Sequence, residues 1–94
     1  MRVEIEEKAG VVTPGRIKEY RKNPSSLNLA ASAAAQMAKK LGERVIVIEG
    51  NSYMRRVYHI AKENESISKY TAKSGSFKVL VVESTGDCFY GIAE

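Results

Sequence analysis

The 94-residue sequence predicts an α+β domain: one main helix packed on a mostly antiparallel sheet of four to five strands, in the order β-α-β-β-β-β. Three observations predict it. A single alanine-rich segment has helical spacing and stands between a proline break and a glycine stop. Two strongly apolar runs, Val45–Ile48 and Val79–Val82, are each followed by turn residues and a second strand-like stretch. The length accommodates one domain, residues 1–94, and no more.

Val3 and Ile5 alternate with Glu4 and Glu6, the pattern of a half-buried strand that Gly10 and Thr13-Pro14-Gly15 bring to an end. Arg16 to Lys22 is basic, with room for one or two helical turns before Asn23-Pro24 breaks the pattern. The helix is predicted over 26–41. Ser25 or Ser26 caps it, Gly42 stops it, and Lys39 and Lys40 suit the negative end of its dipole. Leu27, Ala30, Ala34, Met37, Ala38 and Leu41 share its expected buried face.

Arg44–Glu49 is a strand, Gly50-Asn51 a hairpin signal that Ser52 can widen, and Tyr53–Ala61 the return strand. Lys62–Ser76 is a long polar connection with a short turn expected at Ser66–Thr71. Phe77–Glu83 and Cys88–Ala93 form a second hairpin about Thr85-Gly86-Asp87.

The two apolar runs do not alternate. Val45 and Val47 point one way and Ile46 and Ile48 the other, so both faces of the central strands need cover. One helix covers one face. The N-terminal segment with the long connection, the basic 16–22 stretch, a partner, or a second copy in a homodimer would cover the other.

Charge is concentrated. Residues 16–44 hold seven cations (Arg16, Lys18, Arg21, Lys22, Lys39, Lys40, Arg44) against Glu19 and Glu43. The stretch Tyr53-Met54-Arg55-Arg56-Val57-Tyr58-His59-Ile60 interleaves aromatics with arginines. Alternation groups Tyr53, Arg55, Val57 and His59 on one face, expected to point outward, and Met54, Arg56, Tyr58 and Ile60 on the more core-like face. Arginine neutralises phosphate and tyrosine stacks on bases, so such a strand suits nucleic acid. The sequence therefore nominates Arg16, Lys18, Arg21, Lys22, Tyr53, Arg55 and Arg56 as nucleic-acid-binding residues. A plainer reading stands beside it: a charged edge strand that resists aggregation. The alternative function is a protein-interaction module, an adaptor or an inhibitor of a larger complex.

Sequence gives little support for catalysis, a metal or a cofactor, and a small enzyme built around Cys88 or His59 is the weakest of three readings. His59 is the only histidine and Cys88 the only cysteine, and the glycines form neither a dinucleotide nor a P-loop fingerprint. Cys88 reads as a small buried residue. With no intrachain disulfide, no apolar leader and no transmembrane stretch, the sequence predicts a cytoplasmic, non-membrane protein.

Overall fold

A computed structural model of the chain describes residues 1–12, 26–52, 55–71 and 75–94, with 51, 52, 55 and 56 described through their backbone alone. The predicted α+β architecture is present. Strands β1 (Val3–Val11), β2 (Val45–Ser52), β3 (Arg55–Lys62), β4 (Phe77–Val82) and β5 (Asp87–Ala93) form one sheet in the order β1-β5-β4-β2-β3. All four pairings are antiparallel. The helix α1 (Leu27–Leu41) packs against β2, β3 and β4.

The apolar runs form the adjoining inner strands β2 and β4, as their two-sided pattern requires. On the helix side, Val45, Val47, Tyr58, Leu80, Val82 and Cys88 meet Ala30, Ala31, Ala34, Ala35 and Ala38. Alanine adds little apolar area per residue, but it lets the helix axis come close to the sheet. On the reverse side Ile46, Ile48, Ala61, Val79, Val81 and Ala93 are buried beneath Met1, Val3, Ile67, Tyr70 and Phe89. The second face is thus covered from within the chain, by its N-terminus and by the connection after β3.

That connection is pinned by one carboxylate. Glu65 accepts hydrogen bonds from Lys69 Nζ at 2.7 Å, from the Tyr70 hydroxyl at 2.5 Å and from the Lys62 backbone N–H at 3.0 Å. A 3₁₀ turn at Ile67–Lys69 occupies the place where sequence indicated a short turn. The Met1 ammonium donates to the carbonyls of Glu63 (2.7 Å) and Glu65 (2.6 Å), so the first residue and the connection hold each other. Arg44 ties three chain segments, with Nη2 2.7 Å from Glu83 Oε1 and Nη1 3.6 Å from Glu63 Oε1.

Several local expectations are corrected. Gly50 and Asn51 lie within β2, paired with Val57 and Arg56, and the chain reverses between Ser52 and Arg55. Gly50 is needed for space: a Cβ there would sit 2.8 Å from His59 Nε2. Gly10 does not end β1. It sits in the strand with φ 141°, next to one of two register shifts that bulge this edge. Leu27 and Leu41, expected inside, are 38% and 41% exposed, while Ala31, Ala33 and Ala35 are buried. The two leucines occupy the terminal positions of α1, and alanines on more than one stripe fill its buried side. Ser26 takes the N-cap position, yet its side chain makes no capping bond. Its carbonyl accepts from Ala30 N–H at 2.9 Å. Gly42 closes the helix in the left-handed region (φ 69°), as read from sequence. No described helix is long and apolar enough to cross a membrane.

Candidate nucleic-acid interface

The nominated residues fall into two groups. Arg16, Lys18, Arg21, Lys22 and Tyr53 lie outside the described residues. Arg55 and Arg56 open β3, the outermost strand on one side of the sheet, where their backbones pair with Ser52 and Asn51. Pairing between β2 and β3 runs from Val45↔Lys62 to Ser52↔Arg55 without a register break. The same strand continues into Tyr58, which is buried on the helix side, and Ile60, half-buried against that core. This core-facing assignment agrees with the alternation read from sequence. His59 does not point into solvent as expected. It is half-buried on the reverse face, its ring 5.6 Å from that of Tyr70 and tilted by 42°.

The start of β3 and the start of α1 lie toward one end of the sheet. The chain enters α1 at Ser26–Leu27, and Leu27 lines the same surface hollow as Tyr58, two residues beyond Arg56. Two residues of strand span roughly 7 Å. The hollow, about 210 Å³, lies past the first turn of α1 on the helix side of the sheet. Its walls include Leu27, Val47, Tyr58, Leu80 and Tyr90, with Glu49 and Lys78 as its charged groups. Tyr90 is 48% exposed, pairs with Leu80 across β4–β5 and shares that residue's face. Lys78 lies two residues before Leu80 on the same face and is exposed. Sequence reasoning did not single out Tyr90 or Lys78. An aromatic midway along an alternating strand reads as core until the reach of the helix is known.

Glu65 and Tyr70, whose titration is shifted, belong to the connection over the reverse face, whereas Cys88 lies near Leu27 and Tyr90. Hydrogen bonds from Lys69, Tyr70 and the Lys62 backbone hold the Glu65 carboxyl down at about 2. Burial, then the bond to Glu65, pushes the Tyr70 phenol up to about 12. Burial first, and Asp87 second, raise the Cys88 thiol above its ordinary value, the reverse of what an activated nucleophile needs. Cys88 belongs to the helix-side core and its Sγ lies 3.7 Å from the Gly86 carbonyl, whereas His59 lies against Tyr70 on the other face. The sheet separates the two, so they form no dyad. Among the described residues no group of three or more His, Cys, Asp or Glu side chains is arranged to hold a metal. No protein-family model, curated protein or solved structure matches the chain.

Proposed function

We propose that this is a small non-enzymatic nucleic-acid-binding protein that docks through the start of β3 and the basic stretch leading into α1. The observation that carries the reading is that Arg55–Arg56 open the outer strand β3 at the end of the sheet where α1 begins. Lysine and arginine neutralise phosphates, so affinity falls steeply with salt and sequence preference is weak. The lone buried thiol of Cys88 supports the cytoplasm as the working compartment. The test is fluorescence anisotropy with labelled single-stranded DNA, duplex DNA and RNA at about 50 and about 200 mM salt. Micromolar or tighter binding that weakens several-fold with salt supports the reading. No binding to any polymer at the lower salt removes it.

A second reading, a protein-interaction module, is favoured by a separate observation. Among the described strands β3 is an outer one with unbroken register, a form that can template a strand of another protein. Symmetric antiparallel pairing of two β3 strands would set Arg55 against Lys62, so an acidic partner strand suits it better than a homodimer. A homodimer in light scattering would count against that preference.

A further inference from the structure

We infer that the hollow beside Tyr90 is a seat for one unpaired nucleobase, so that the favoured ligand is single-stranded nucleic acid rather than duplex. The inference rests on the nucleic-acid reading and narrows it. The hollow holds about 210 Å³, below the roughly 300–1,000 Å³ of sites for drug-sized ligands, which suits one planar ring. Its walls are mainly apolar, and one of them is an aromatic ring that is 48% exposed. Half-exposed tyrosine on a sheet face has a free π-surface, and base–aromatic stacking works for every base because each has a π-face.

Charge sets the path of the strand. Lys78 stands at the hollow on β4, and the backbone of Arg56 lies on β3 two residues before Tyr58, which also lines it. A nucleic-acid backbone running from the start of β3 over β2 to β4 crosses the hollow and reaches Lys78. On the far side of Tyr90, Glu6 and Glu7 lie on the surface next to Lys78 and Gly91. Those carboxylates repel phosphates and confine the strand to the β3–β2–β4 side. Glu49 is the carboxylate inside the hollow. A carboxylate at this place repels phosphate, so the strand's backbone passes beside the hollow and not into it. A duplex keeps its bases stacked and paired and cannot place one there without unstacking it.

The test uses the full chain with an oligonucleotide carrying one 2-aminopurine, whose fluorescence falls on stacking, alongside anisotropy with single and double strands. Wild type is expected to bind the single strand roughly tenfold or more tightly than duplex and to quench the probe. Tyr90→Ala should lose that preference and the quenching, while Tyr90→Phe, which keeps the ring, should retain both. Tyr90 is half exposed, so neither change threatens the core. If Tyr90→Ala binds and quenches like wild type while Arg55→Ala/Arg56→Ala weakens binding, the base seat is wrong and the wider reading stands. If wild type binds no polymer at low salt, the wider reading falls, and the base seat with it.

Discussion

The Tyr70 hydroxyl donates a 2.5 Å hydrogen bond to Glu65, and this contact fastens the polar connection over the reverse face of the sheet. The carboxyl is held at about 2 and the phenol raised to about 12, so the bond works between a charged acceptor and a neutral donor. Because the Glu65 value is depressed on folding, its stabilisation is complete above the unfolded carboxyl's value near 4.3 and fades as pH falls toward about 2. The raised Tyr70 value acts the other way, its share being complete below about 10 and lost as pH climbs toward about 12. Glu65→Gln should lower stability by about 1–2 kcal/mol at pH 7, a figure reduced for partial exposure. It should also flatten the acid limb. Urea midpoints at pH 2.5, 4 and 7 measure both. An acid limb as steep in the variant as in wild type would refute the assignment.

Two glycines that sit in strands should respond differently to alanine. A Cβ at Gly91 would lie 2.6 Å from the Glu4 backbone carbonyl, so β1 itself must shift. Gly91→Ala is expected to cost about 1–3 kcal/mol and to loosen the β1–β5 pairing. At Gly50 the obstruction is the movable ring of His59, so Gly50→Ala should cost less and should mainly disturb the His59–Tyr70 contact. Thermal unfolding of the two variants side by side decides it, and equal losses would contradict the distinction.

Replacing Arg55 and Arg56 by alanine should leave the unfolding midpoint nearly unchanged and weaken nucleic-acid binding. Two fewer phosphate contacts lower the slope of log K against log salt by about 1.4 for a single strand. A titration series over salt concentration measures the slope, and an unaltered slope would show that neither arginine meets phosphate.

Cys88 should resist alkylation in the folded protein. It is 2% exposed and its thiol is raised by burial. Iodoacetamide labelling at pH 8, with and without urea, should show labelling that follows unfolding. Rapid modification of the native chain would mean that the helix-side core opens far more readily than its packing implies.

Much of the fold was legible because the signals were strong and local. Leu27–Leu41 is bracketed by Pro24 and Gly42, and the unalternating Val45–Ile48 and Val79–Val82 runs could only be covered on both sides. The misplaced hairpin shows where local reasoning loses. Gly50-Asn51 carries turn chemistry, but Gly50 serves a cross-strand need, making room for the His59 ring. The expectation for Leu27 fails for a similar reason: periodicity assigns a face, and only the position of the sheet says how far along the helix that face is covered. Tyr90 escaped notice on the same account. For the nominated basic residues, sequence supplied the charge, and the fold places the backbone of Arg55 and Arg56 at the start of the outer strand β3.

The pairing of β1 with β5 bears on the order in which the domain is assembled. Among the described strands β1 bonds to β5 alone, from Val3↔Ala93 to Val11↔Asp87, so the pair joins residues more than seventy positions apart in the sequence. Such distant pairing slows folding, because a long loop must close before any contact rewards it. The inner strands and the helix can meet beforehand, leaving β1 as a late addition whose charges and bulges keep it soluble in the interval. In a chain truncated before Asp87, amide exchange along Val3–Val11 should be unprotected even where α1 and β2 retain protection.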